Sequence, residues 1–155
     1  MSELKAKIRA DLKDSMKAKD KERTGAIRML LSALQEEETK GAKHELDDAA
    51  VLKVIAREVK KRRDSAQVYA DNGRDDLAAV ELAEVEVLSG YQPEQLSDEE
   101  LEELVNSVVG EIAADADAAP SMKQMGQVMK LAQSRAAGRV DGKRLSTAVK
   151  ATLQG

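Results

Sequence analysis

The sequence predicts an all-α protein, and three observations support that prediction. Apolar residues recur every three or four positions along most of the chain, which is the spacing of one face of a helix. Ala, Glu, Lys and Leu are abundant, and these residues favour helix. No segment alternates between apolar and polar residues in the manner of a strand, so no sheet is predicted.

The first two predicted helices each have a signal at one end. Ser2 is a suitable N-cap for helix one, because its hydroxyl can accept a hydrogen bond from a free backbone N–H. Helix two follows after a short gap and stops at Gly41, a residue type that commonly ends helices. The predicted inward positions are Leu4, Ile8, Leu12 and Met16 in helix one, and Ile27, Leu30, Leu31 and Leu34 in helix two.

Helices three and four are predicted on either side of Gly73. Asp47 is the expected N-cap of helix three, and Leu46 and Val51 have the spacing of a hydrophobic staple. Asp75 or Asp76 is expected to cap helix four. The predicted inward positions are Val51, Ile55, Val59, Ala66 and Tyr69 in helix three, and Leu77, Leu82, Val85 and Leu88 in helix four.

A break around Pro93 separates these helices from the rest, because proline disfavours helix at the residue before it. Ser97 and Glu100 then form a predicted capping box at the start of helix five. A linker of small residues is predicted at 113–120, and by composition it is the best domain boundary. With the domain limit placed at the Pro93 break, we predict an N-terminal domain of helical hairpins, residues 1–92, and a small C-terminal three-helix bundle, residues 93–155.

Helices six and seven complete the predicted bundle. Ser121 and Gln124 have the spacing of a second capping box, and Asp141 is the expected N-cap of helix seven. Between them Gly138-Arg139-Val140-Asp141-Gly142 is a predicted turn, whose structural residues are Gly138, Asp141 and Gly142. The predicted inward positions are Met125, Val128, Met129 and Ala132 in helix six, and Leu145, Ala148, Val149, Thr152 and Leu153 in helix seven.

Composition argues against several classes of function. The chain has no cysteine, which excludes disulfides, thiol nucleophiles and zinc–thiolate sites. His44, the single histidine, lies in a charged loop and is predicted to be solvated. No phosphate-binding loop, dinucleotide fingerprint or serine elbow is present. We therefore expect no catalytic residue, metal or cofactor. With no apolar run of about 18 residues and no signal-like start, we predict a cytoplasmic protein without membrane contact.

The net charge of -4 is segregated along the chain. Residues 94–120 carry nine acids and no base, whereas residues 121–155 carry seven bases and the single acid Asp141. Such a basic end on an acidic protein suggests a local anion site. Pairing between acidic helix five and its basic neighbours would weaken that site. A second basic run lies at Lys60 to Arg63. The side chains of Lys60, Lys61 and Arg63 are predicted to point outward. They form either a solvated helix face or a contact for phosphate or an acidic protein.

The start of helix seven is the main candidate for anion binding. Cations in a first turn oppose the helix dipole, so helix stability does not call for Lys143 and Arg144 there. Backbone N–H groups beside basic side chains suit a phosphate, and Gly138 and Gly142 would allow close approach. A solvated basic face is the alternative. Since the chain lacks Phe and Trp, it offers few rings for stacking of RNA bases. An RNA contact would therefore involve the phosphate backbone and the shape of the RNA. The predicted nucleic-acid-binding residues are Lys130, Arg135, Arg139, Lys143, Arg144 and Lys150.

Several of these segments resemble a known family. Met125-Gly126-Gln127-Val128-Met129, the Gly138–Gly142 turn, Val149-Lys150 and Leu153 resemble the tail signature of the GatB/YqeY family. Upstream matches to YqeY-like proteins are Arg28-Met29-Leu30-Leu31, the Val59–Arg63 run, Tyr69, Gly73-Arg74 with Leu77, and Tyr91-Gln92-Pro93-Glu94-Gln95-Leu96. The resemblance covers nearly the whole chain in the expected order.

The resemblance implies a role related to translation. The family's C-terminal part is similar to the tail of the B subunit of the tRNA-dependent amidotransferase, where the tail contacts tRNA and the reaction occurs in other domains. It therefore implies a non-catalytic tRNA-binding or translation-associated accessory module, with tRNA, the amidotransferase or other translation proteins as partners. A carbon–nitrogen ligase label would reflect only the shared tail. The alternatives are a protein–protein interaction adaptor with no nucleic-acid role, and an enzyme with glutaminase or amide-transfer activity.

Overall fold

The structure, a computed structural model, describes residues 2–154 and contains seven α-helices and no strand within that range. The all-α prediction is therefore confirmed. Contacts within the chain divide it into two compact units, Met1–Gln92 and Pro93–Gly155. The helices are α1 (Glu3–Lys17), α2 (Lys21–Glu38), α3 (Asp48–Asp71), α4 (Asp75–Ser89), α5 (Asp98–Ala116), α6 (Met125–Ala136) and α7 (Gly142–Gln154), and a 3₁₀ turn, Met122–Gln124, leads into α6.

The N-terminal unit packs α1 to α4 around one aliphatic core. Ile8 of α1, Ile27 of α2, Ile55 of α3 and Leu88 of α4 are all fully buried, so every helix contributes to it. Tyr91 closes this core, because its hydroxyl donates a hydrogen bond of 2.6 Å to a carboxylate oxygen of Asp11 on α1. Burial and this carboxylate raise the pKa of the Tyr91 hydroxyl. The phenol therefore stays protonated and remains a donor.

An ion-pair network is buried inside the same unit. Arg62 is only 4% exposed. Its Nε donates to Glu84 Oε2 on α4 at 2.8 Å, and its Nη1 donates to the carboxylate and the backbone carbonyl of Glu58 at 3.3 and 3.2 Å. The predicted outward positions of Lys60, Lys61 and Arg63 are confirmed, since all three are exposed. The basic run is thus divided into one structural cation and three surface cations.

Most of the predicted helix starts are confirmed by their capping hydrogen bonds. Ser2, Asp47 and Ser97 each accept a hydrogen bond from the backbone N–H three residues later. Glu100 returns the contact to the N–H of Ser97 and completes the capping box of α5. These signals need only four consecutive residues, which is why the sequence alone predicts them.

The predicted cap of α4 is wrong. Arg74 occupies the N-cap position and makes no capping hydrogen bond, while Asp75 and Asp76 lie in the first turn. Acidic side chains there still interact favourably with the helix dipole.

Two helix ends also differ from the prediction. Helix α2 ends at Glu38, before Gly41, and α5 continues to Ala116 because its alanines favour helix.

Two residues predicted to point inward are exposed. Met16 in the last turn of α1 is 50% exposed, and Leu82 of α4 is 51% exposed. The apolar residues of α4 lie on all sides of the helix, so the spacing of apolar residues in its sequence does not single out one buried face. The helix packs through Ala78, Val85 and Leu88 and leaves Leu82 outside.

The C-terminal unit is a three-helix bundle with a second aliphatic core. Helices α5, α6 and α7 each contact the other two, and the 3₁₀ turn packs against α6 and α7. Small and β-branched side chains fill the centre, which lets the short helices approach closely. The fully buried residues of this core are Val105, Val108, Val128, Ala132, Leu145 and Val149.

We predict that Arg62→Ala lowers the free energy of unfolding of the N-terminal unit by about 3–5 kcal/mol, because the Glu58 carboxylate would stay buried without its cation. Urea unfolding followed by circular dichroism measures this change. Lys61→Ala is the matched control, since Lys61 is exposed and its removal should change stability by less than about 0.5 kcal/mol. Equal losses in the two variants would contradict the structural role of Arg62.

Candidate nucleic-acid interface

The start of α7 is capped by the chain's own carboxylate. Asp141 Oδ1 accepts a hydrogen bond of 2.7 Å from the backbone N–H of Arg144, and the Asp141 carbonyl accepts one of 3.0 Å from Leu145. The predicted N-cap is therefore confirmed. A negative charge already lies where the sequence suggested a phosphate, and it opposes a second anion at the same backbone groups.

The turn before α7 uses two left-handed residues. Ala137 has φ 48° and Gly138 has φ 83°, and together they end α6 and reverse the chain. Glycine adopts such a φ readily, whereas alanine does so with strain of about 1–2 kcal/mol. The backbone N–H of Arg139 then donates to the Ala136 carbonyl at 2.9 Å, which closes the turn. Gly142 is the first residue of α7, and no heavy atom outside its two chain neighbours and the backbone of α7 itself lies within 4 Å of the position a Cβ would occupy.

This turn holds residues 94–97, which we call the lead-in segment because they lead into α5. The N–H of Leu96 donates to the Arg139 carbonyl at 2.8 Å, and Arg139 Nε donates to the Glu94 carbonyl at 2.8 Å. Arg144 Nη1 donates to the Leu96 carbonyl at 2.6 Å. The turn and the segment are more than 40 residues apart in sequence, so these hydrogen bonds fix the bundle's long-range connection.

All three arginines of the predicted nucleic-acid-binding set form ion pairs with acidic residues of α5. Arg135 lies 2.6 Å from a carboxylate oxygen of Glu111. Arg139 pairs with Glu100 at 3.6 Å and Arg144 with Asp98 at 2.7 Å. The hydrogen bonds from Ser97, together with Arg139, lower the pKa of Glu100. The bundle thus neutralises much of the positive charge that the sequence assigned to RNA.

The predicted lysines behave differently from the arginines. Lys130, Lys143 and Lys150 are exposed, and within residues 2–154 none of them forms an ion pair or a side-chain hydrogen bond. Lys143 and Lys150 are seven residues apart on α7, so they share one face and are separated by about 10 Å along the axis. Helices α6 and α7 contain no acidic residue. The remaining positive potential therefore comes from lysines.

Lys123 extends this set and was not among the predicted binding residues. It lies on the 3₁₀ turn Met122–Gln124, which packs against α7, and its side chain is exposed. Like the three predicted lysines, it has no ionic partner in the described part of the chain. Its place in the basic C-terminal stretch was the available signal, but the sequence does not show that this turn packs beside α7. We call Lys123, Lys130, Lys143 and Lys150 the lysine set.

Among the described residues, neither a metal-binding cluster nor a membrane-spanning helix is present. Among residues 2–154, no group of three or more His, Asp and Glu side chains is arranged to hold a metal ion. His44 is exposed, as predicted, and its Nδ1 lies 2.9 Å from the carbonyl of Ala42. None of the described helices is both long and apolar enough to cross a membrane.

Comparison with known proteins identifies related sequences. The family model described as Yqey-like protein matches residues 5–153. Three relatives named "Altered inheritance of mitochondria protein 41, mitochondrial" are similar to this chain. The Kluyveromyces lactis protein is 34% identical over 87 residues, which are 56% of this chain and 47% of that protein. The Clavispora lusitaniae protein is 36% identical over 115 residues, 72% of this chain and 66% of its own length.

The third relative, from Pyrenophora tritici-repentis, is 30% identical over 132 residues, which cover 84% of this chain and 71% of that protein. The chain therefore spans between about half and 71% of the length of these three relatives. Their names assign those proteins to mitochondria. The cytoplasmic location expected for this chain stays a prediction.

We predict that Arg144→Met lowers the stability of the C-terminal unit by about 2 kcal/mol, because the Leu96 carbonyl loses a charged donor. Asp98→Asn should lower it by less than about 1 kcal/mol, since the Asp98 side chain is almost fully exposed. Hydrogen exchange of the α5–α7 amides in the full chain measures both changes. A larger loss in Asp98→Asn would show that the ion pair, and not the carbonyl contact, is the main interaction.

Proposed function

Because the chain belongs to the Yqey-like protein family, we propose that it is a non-catalytic accessory protein whose C-terminal unit binds the phosphate backbone of RNA, with tRNA as the favoured class. The tRNA assignment follows from the resemblance of the Gly138–Gly142 region to the tail of the tRNA-dependent amidotransferase B subunit. In that enzyme the reaction occurs in other domains, so we assign no reaction to this chain. A carbon–nitrogen ligase activity is not part of the proposal.

The observation that carries the proposal is the lysine set. Its four ammonium groups are exposed and have no acidic partner in the described residues, and α6 and α7 contribute no acid. Lysine binds phosphate as a flexible point charge and does not need a fixed geometry. The ion pairs of the arginines within the bundle support a division between structural cations and cations that are left to bind a ligand. Arg135, Arg139 and Arg144 hold the bundle together, and the lysines remain for a ligand.

The proposed contact is independent of base sequence. The two aromatic residues of the chain, Tyr69 and Tyr91, both belong to the N-terminal unit, so the C-terminal unit offers no ring for base stacking. Phosphate contacts supply affinity and orientation without reading bases. Recognition of tRNA would then rest on shape. We propose the cytoplasm as the location, and the mitochondrial names of the relatives make the mitochondrial interior the second candidate.

We predict that the full chain binds tRNA with an affinity that falls steeply as salt rises. Each phosphate contact releases a counterion and contributes about 0.7–0.9 to the slope of log affinity against log salt. Changing Lys130, Lys143 and Lys150 to glutamine should therefore reduce the slope by about 2–3 and weaken binding at every salt concentration tested. Fluorescence anisotropy with labelled tRNA at four salt concentrations measures both quantities.

The control removes the same charge from the other unit. Lys13, Lys17 and Lys53 are exposed lysines of the N-terminal unit, and changing them to glutamine should leave the salt slope unchanged. An equal loss in the control would mean that net charge alone causes binding. A wild-type affinity that does not respond to salt would contradict the proposal. Purification of a protein partner that survives high salt, with no tRNA retained, would instead favour the adaptor function.

A further inference from the structure

The buried guanidinium of Arg62 has one nitrogen with a weak hydrogen-bond acceptor. Its Nε donates to Glu84 and its Nη1 donates to Glu58, so these two nitrogens face carboxylates. Within the described residues, the acceptor for Nη2 is the sulfur of Met29, at 3.8 Å, and no oxygen accepts from it. A thioether is a weak acceptor, whereas a charged donor binds an oxygen strongly. Because Arg62 is only 4% exposed, water compensates little for the missing oxygen.

Met29 connects this nitrogen with the solvent. The residue lies on α2 and is 50% exposed, while its sulfur contacts a side chain of the interior. A small oxidant can therefore reach the thioether without unfolding of the N-terminal unit. The methionine side chain is unbranched and flexible, so its terminal atoms can rotate after a change at the sulfur.

We propose that Met29 is a site of reversible oxidation and that Arg62 binds the resulting sulfoxide. Hydrogen peroxide is the oxidant. The sulfur lone pair attacks one peroxide oxygen, the O–O bond breaks, and the other oxygen leaves as hydroxide. The hydroxide takes the proton of the bound oxygen and becomes water, so sulfur is oxidised by two electrons and the peroxide is reduced by two. Sulfoxide reductases restore the thioether, which makes the modification reversible.

The sulfoxide has the oxygen that Nη2 lacks. Rotation of the side-chain terminus of Met29 brings this oxygen to the guanidinium, where it accepts a charge-assisted hydrogen bond. Oxidation of methionine usually disrupts a core, because it makes an apolar side chain polar. At Met29 we expect the opposite effect, since the residue lies at the surface and the new oxygen satisfies a buried donor. Oxidation should therefore stabilise the N-terminal unit. This property is independent of the proposed RNA contact.

Met16 provides a matched comparison within the same unit. It is also 50% exposed, and its sulfur lies 3.8 Å from Nη2 of Arg28. The difference lies in the arginine, because Arg28 is exposed and water can satisfy its nitrogens. A sulfoxide at Met16 would replace a hydrogen bond to water and add little stability. The two methionines thus share exposure and sulfur–nitrogen distance and differ in the burial of the guanidinium.

The test oxidises one of these methionines at a time in the full chain. Met122 is 41% exposed, so both variants replace it with leucine. Met16→Leu with Met122→Leu leaves Met29 for dilute hydrogen peroxide, and Met29→Leu with Met122→Leu leaves Met16. Peptide mass spectrometry measures oxidation at each position and checks that the partly buried Met125 and Met129 stay reduced. A Met29 that stays reduced under conditions that oxidise Met16 would contradict the proposal.

Thermal unfolding of the N-terminal unit measures the effect on stability. Tyr69 and Tyr91 both belong to this unit, so near-ultraviolet circular dichroism of tyrosine reports its unfolding alone. Oxidation of Met29 should raise the unfolding midpoint by about 4–8 °C, the shift that one added hydrogen bond gives a domain of this size. Oxidation of Met16 should shift it by less than about 2 °C. An unchanged or lower midpoint after oxidation of Met29, or an equal rise after oxidation of Met16, would overturn the proposal.

A second pair of variants tests the same hydrogen bond without peroxide. Met29→Gln places a carboxamide oxygen on a side chain of similar length, whereas Met29→Leu removes the sulfur and adds no acceptor. We expect the glutamine variant to unfold at least about 4 °C above the leucine variant, because its oxygen accepts from Arg62 Nη2. Equal midpoints would show that Arg62 does not bind an oxygen at this position, and would refute the capture of the sulfoxide.

Discussion

The hydrogen bonds from Arg139 and Arg144 to the carbonyls of the lead-in segment are the constraint on which the C-terminal unit depends. They connect the end of the bundle's sequence to its beginning, and the segment they hold is followed at once by α5. The carbonyls of Glu94 and Leu96 belong to no helix and would otherwise rely on water. Once the guanidinium groups are fixed there, their remaining N–H groups reach Glu100 and Asp98 on α5. The ion pairs therefore follow from the carbonyl contacts.

This arrangement also decides which charges are left for other molecules. Arginine, with its planar fork of donors, is suited to satisfying several acceptors in a fixed geometry. The bundle uses its arginines in that way and leaves the lysines outside. In the N-terminal unit Arg62 is likewise buried in a network, but Arg63 is exposed together with Lys60 and Lys61. The division between structural arginines and surface lysines therefore belongs to the C-terminal unit.

The success of the predictions from sequence depended on how many residues separate the interacting groups along the chain. Helix starts were predictable at Ser2, Asp47, Ser97 and Asp141, because a cap and its partner lie three residues apart. The partners of Arg139 and Arg144 were not, because more than 40 residues separate the paired groups. The outward positions of α4 were missed for another reason, since apolar residues on all sides of that helix do not define one face. For the candidate site, the sequence showed the segregation of charge and raised pairing between α5 and its basic neighbours as the alternative to anion binding. It did not show that the arginines form these pairs and the lysines do not.

The hydrogen bond between Tyr91 and Asp11 has a consequence for the order of events during synthesis. Eighty residues separate the two groups, so α1 leaves the ribosome long before its last partner in the core exists. At a translation rate of about 5–20 residues per second, this delay is about 4–16 s. Throughout it, the nascent α1 must keep Ile8 away from competing surfaces without the tyrosine that later closes the core. A chaperone that shields short amphipathic segments would have its main opportunity in that interval.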